Sequence, residues 1–154
     1  MRLMKLELVM TLGAAAYGVQ AQADPTVGTW NLNLAKSKYN AGQPPKSSTV
    51  VIEAAGAGIK LTSNSVLADG SARKIGYTAS YDGKDAVVTG TPDYDGMSVK
   101  KTATGAEGSR KKAGKVVQTF TRVVSADGKT MTVTSTGTTA TGAKVDNVQV
   151  YDKQ

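Results

Sequence analysis

The chain has 154 residues, a formal charge of +7, and neither cysteine nor histidine. Without cysteine there is no disulfide, no thiolate chemistry and no lipoprotein-type acylation; without histidine the commonest general base and metal ligand are missing. The basic balance favours anionic surfaces or ligands and says nothing about fold.

Residues 1–23 read as a secretory signal. Arg2 and Lys5 give a short basic start, residues 8–19 are mostly apolar apart from small polar interruptions, and Ala21-Gln22-Ala23 is an A-x-A cleavage site, so the mature chain would begin at Asp24. Glu7 departs from that pattern, and an ordinary N-terminal helix is the alternative. The apolar run is too short to anchor the chain across a bilayer, and no later run has spanning length. About 131 residues remain, the size of one compact domain over residues 24–154. Such a chain is expected in the periplasm or outside the cell, and the lack of disulfides suits a bacterial export product.

The first predicted strand, 27–34, holds the only tryptophan. Trp30, Leu32 and Leu34 point one way and Thr29, Asn31 and Asn33 the other, the period of a half-buried strand. Residues 35–46 form a long connection whose paired prolines exclude a central strand; it is either a strap over one end or a plain surface crossing. Strands are then expected at 48–54, 59–66, 73–81 and 85–90, with Asp69-Gly70 and Asp82-Gly83 as hairpin turns. Pro92 ends that run. Further strands follow at 97–103, near 107–112 (weak and polar), at 115–125, 130–136 and 144–151. On 115–125 the residues Val116, Gln118, Phe120, Arg122 and Val124 share a face. No helical stretch follows the signal. Nine or ten strands joined mostly by hairpins predict an all-β fold, an antiparallel up-and-down barrel, because closure removes exposed edges. A barrel of that size either fills its interior or holds one small ligand.

Gly28-Thr29-Trp30 resembles the G-x-W signature of the lipocalin and fatty-acid-binding (calycin) group. Arg122 falls where that group places a basic side chain, residues 122–129 resemble the late hairpin of fatty-acid-binding proteins, and Val150-Tyr151-Asp152-Lys153 resembles their closing V-Y-E-K. The arginine of the family's R-x-Y is Gln149 here, and the helix pair that caps their barrel has no counterpart. Taken whole, the mature sequence looks like small exported lipocalin-like domains of bacteria. The resemblance implies a barrel closed by Gly28, Trp30 and Arg122, or an interior Arg122 that holds a ligand carboxylate.

Arg122 is therefore the sharpest candidate. It is either an anchor for an acidic ligand, assisted by Tyr151, Gln118, Tyr77 and Phe120, or a cation stacked on Trp30 that seals the barrel end. The apolar part of a ligand would meet Leu32, Ile52, Ile75, Val99, Phe120 and Val133. Lys101 interrupts an apolar face and either points inward or runs its stem out to water. Lys100, Lys101, Arg110, Lys111, Lys112 and Lys115 cluster across one hairpin. They offer a contact for an anionic envelope component or serve only to keep the edge soluble. Nucleic acid is not expected, since no aromatics interleave with these charges. Tyr77, Tyr81 and Tyr94 are candidates to line a mouth.

Gly128-Lys129-Thr130 lacks the earlier glycine of a phosphate loop, and Asp93-Tyr94-Asp95-Gly96 lacks the remaining ligands of a calcium loop. No acid/base carboxylate pair and no nucleophile motif stands out, so no enzyme, cofactor or metal is expected. Two readings of function remain. One is an exported barrel binding a small amphipathic or hydrophobic, lipid-like ligand. The other is a basic envelope-interaction module with a filled core.

Overall fold

The structure, a computed structural model, describes residues 23–154. The expected signal, apart from Ala23, lies outside the described residues.

Eleven strands make one antiparallel sheet: β1 Gly28–Leu32, β2 Lys38–Tyr39, β3 Ser47–Ala55, β4 Gly58–Val66, β5 Ala72–Ser80, β6 Ala86–Val87, β7 Gly96–Lys101, β8 Gly105–Lys112, β9 Lys115–Val124, β10 Thr130–Thr138 and β11 Lys144–Lys153. Spatial order is β5-β4-β3-β1-β11-β10-β9-β8-β7-β6, with β2 paired to β11 off that path. Neighbours in sequence are neighbours in space except at β2, which pairs only β11, and at β1, which lies between β3 and β11 and so joins the first and last long strands. The sheet curls until its edges meet. Gly76 of β5 and Thr89, just beyond β6, exchange two backbone hydrogen bonds of 3.1 and 3.0 Å, and Gly83 N–H donates to the Val99 carbonyl at 3.2 Å. The result is a nearly closed antiparallel β-barrel, as the hairpin pattern predicts.

Alternation along each strand builds the interior. Val50 and Ile52 on β3, Tyr77 and Ala79 on β5, Met97 and Val99 on β7, and Met131, Val133 and Ser135 on β10 are all buried. The intervening threonines and charges face outward, as a one-sided wet sheet requires. Two sequence expectations need correction. Leu34 leaves the first strand for a single 3-10 turn, Leu34–Lys36, and is 42% exposed. Val116, expected to share the face of Phe120, is 55% exposed. A register shift between Arg110 and Lys111 pairs Lys111 with Val116 and breaks the alternation at the end of that hairpin.

Candidate functional site

One end of the interior is packed around Trp30, which is fully buried. Its indole N–H donates to the Thr26 carbonyl at 2.8 Å, and the Thr26 hydroxyl donates to Asp24 Oδ1 at 2.7 Å. The other Asp24 oxygen accepts a hydrogen bond from the Tyr81 hydroxyl. Burial alone would raise the Asp24 pKa, but the hydrogen bonds from Tyr81 and Thr26 together hold it below the usual carboxylate value. The same contacts push Tyr81 up to about 12, through burial first and its bond to Asp24 second.

The cation over the indole is not Arg122. Lys153 of β11 places Nζ 5.2 Å from the Trp30 ring. Gly28 makes this possible. It has φ +144°, and a Cβ there would lie 2.8 Å from Lys153 Cε. The glycine of the G-x-W triplet thus leaves room for a lysine stem across the tryptophan. Arg122 stacked on Trp30 as a seal, one of the two sequence readings, is corrected by this arrangement.

Above that packed end the interior opens into a cavity of about 570 Å³. Val50, Leu61, Ile75, Met97, Met131 and Val133 give it apolar wall, while Leu32, Ile52 and Val99 lie outside its lining. Its polar side holds Tyr77, Arg110, Gln118, Arg122, Ser135 and Tyr151. Ala41, Gly42, Gln43 and Pro45 of the long connection line the mouth, with loop residues Thr91, Asp93 and Thr139. Of the mouth tyrosines, Tyr94 and Tyr77 reach the cavity, whereas Tyr81 turns to Asp24.

Arg122 is 4% exposed. It extends from β9 to the Tyr77 hydroxyl, donating through Nη2 at 3.0 Å. Its Nη1 is buried and has no hydrogen-bond partner. Arg110 was expected on the outer face of the basic hairpin; it points inward instead. Its Nη1 donates to Gln118 Oε1 at 2.9 Å and to Ser135 Oγ at 3.0 Å, and its buried Nε has no partner. Gln118 in turn donates to the Thr138 carbonyl at 3.0 Å, which fixes its amide. Among the described residues neither guanidinium has a carboxylate within ion-pair distance.

Both guanidiniums share one support. Arg110 Cζ lies 4.9 Å and Arg122 Cζ 5.6 Å from the Phe120 ring centroid, and Arg110 also lies 5.2 Å from the Tyr94 ring. Phe120 does not line the cavity; it lies beneath the cations. Across the ladder it faces Gly108, where a Cβ would sit 2.9 Å from the ring. Ala106 similarly faces Arg122. Small residues on β8 therefore make room for the large side chains of β9. This is also the signal by which sequence reasoning could have found Arg110: Ala106, Gly108 and Arg110 keep one period-two face.

Tyr151 is buried, and burial pushes its pKa up to about 12, so the hydroxyl is neutral at ordinary pH and supplies no counter-charge. Gln149 donates to the Tyr39 hydroxyl at 2.9 Å. The remaining basic residues scatter. Lys111 pairs with Asp85 at 2.8 Å, Lys100 and Lys115 are exposed, Lys112 is partly buried, and Lys101 sits exposed at the end of β7.

No family model matches the chain, and no curated protein sequence matches it. Among solved structures, the chain is similar to zebrafish ileal bile acid-binding protein complexed with cholic acid. Identity is 13%, the match covers 85% of this chain and 100% of that chain, and the TM-score is 0.49. Among the described residues no helix is long and apolar enough to cross a membrane, and no cluster of metal-ligating side chains occurs.

Proposed function

We propose that this protein is an exported, lipocalin-like binding barrel that holds one small amphipathic, lipid- or fatty-acid-like ligand in its interior. The acidic head meets Arg122, and the apolar body lies along Val50, Leu61, Ile75 and Val133. One observation carries the reading: Arg122, a buried guanidinium with no carboxylate partner among the described residues and one unpartnered nitrogen, lines a cavity of about 570 Å³. An unpaired buried charge is costly, and a well-packed apolar residue would usually be the more stable choice. Retaining the charge beside open space makes sense when an anion completes it. The cavity lies within the range of small-molecule sites and has their composition, an apolar wall with a few convergent polar groups. Export rests on residues 1–23 and agrees with a chain that uses no thiols.

The test is titration with 1-anilinonaphthalene-8-sulfonate, an aromatic anion whose fluorescence rises in apolar surroundings. One molecule should bind per barrel, and Arg122→Met should weaken it about tenfold, the loss of one charge-assisted contact. Undiminished binding by a folded Arg122→Met variant would refute the reading.

A further inference from the structure

The proposed function needs one cation; of the four that line the cavity, Arg73 and Lys144 pair with Asp93 and Asp146, and two have no carboxylate partner among the described residues. Arg110 and Arg122 both line it and both rest on the Phe120 ring, so two charges converge on one wall. Their protein partners are all neutral: Tyr77 for Arg122, and Gln118 and Ser135 for Arg110. Each retains one buried nitrogen without a partner. The two carboxylates at the mouth are engaged elsewhere. Asp93 pairs with Arg73 at 3.9 Å and accepts from Ala140 N–H, while Asp69 accepts from Ser71. Stacking on an aromatic face steadies a guanidinium but does not cancel its charge. A ligand with a single negative charge would leave one of the two uncompensated in a partly dehydrated pocket.

Resting on the reading above, we infer that the ligand's head carries two negative charges, held jointly by Arg110 and Arg122. The shared chemistry is a dianion at the end of an apolar body, met either by a phosphomonoester or by two neighbouring carboxylates. Arginine suits both, because its planar fork donates two parallel hydrogen bonds to either group.

The test compares four probes with the same ten-carbon tail at pH 8: decanol, decyl sulfate, decyl phosphate and decylmalonate. The sulfate and phosphate heads share a shape and differ by one charge, since the second phosphate ionisation lies near pH 6. Calorimetric titration of the protein should show decyl phosphate, decylmalonate or both binding at least tenfold more tightly than decyl sulfate, and the stronger of the two identifies the form of the head. In Arg110→Gln that advantage should vanish while decyl sulfate binding persists; in Arg110→Lys, which keeps the charge, much of it should remain. If decyl sulfate equals both dianions and all three exceed decanol, the two-charge inference is wrong and the binding reading stands. If no probe binds, or decanol binds as well as the rest, both fail.

Discussion

Around Trp30 the polar groups answer one another: indole to Thr26, Thr26 to Asp24, Tyr81 to Asp24, with Lys153 laid over the ring. Around Phe120 they do not. There Arg110 and Arg122 each leave a buried nitrogen unpartnered, beside space the chain does not fill. Both regions place a cation on an aromatic ring, so the motif alone does not distinguish a seal from a site. What distinguishes them is completeness. A lysine with its amino group near the surface needs nothing more, whereas two internal guanidiniums without counter-charge need a third party.

Substitution can break this comparison. The largest effect is expected from Trp30→Ala, which empties the packed end and should cost about 3–5 kcal/mol in urea unfolding. Arg122→Met should do the opposite or nothing. Unliganded stability should stay level or rise by up to about 2 kcal/mol, because an apolar side chain replaces a buried charge. A loss as large as that of Trp30→Ala would make Arg122 a structural seal and erase the contrast. The smallest effect concerns pH. Asp24 has a depressed pKa in the folded state, so its contribution to stability is fully present above its unfolded value near 4 and is lost as pH falls through the folded one. Asp24→Asn should therefore flatten the acid limb of the stability curve below about pH 4. An acid limb identical in the two proteins would show that the Asp24–Tyr81 contact does not hold the packed end.

The barrel was legible in the sequence because its signals are local. Asp-Gly turns, period-two runs such as Met131, Val133 and Ser135, and the one tryptophan each report on their own stretch of chain. The site was only half legible. Arg122 could be placed inward because Phe120 and Val124 flank it on one face of β9. Arg110 is harder to place: the small residues Ala106 and Gly108 mark its face, but it opens a run of basic residues and the alternation breaks at the next residue, where the ladder shifts register. The partner of Trp30 could not be read, since Lys153 reaches it across the joint between the two ends of the chain. The role of Phe120 as a support depends on Gly108 in the neighbouring strand, a relation between strands that no single stretch contains.

The barrel's last joint has a consequence of its own. Most neighbouring strands are laced along several residues, but β5 meets the β6 segment through the single Gly76–Thr89 bridge, with one further bridge between Asp82 and Lys100. Such a joint works like a clasp. It can part without unlacing the long hairpins, and the residues it links lie close in sequence, so little chain entropy is gained or lost when it closes again. The wall beside the cavity, where Ile75, Tyr77 and Met97 stand, is therefore cheaper to part than the long hairpins, and local breathing there would widen the cavity without unlacing them.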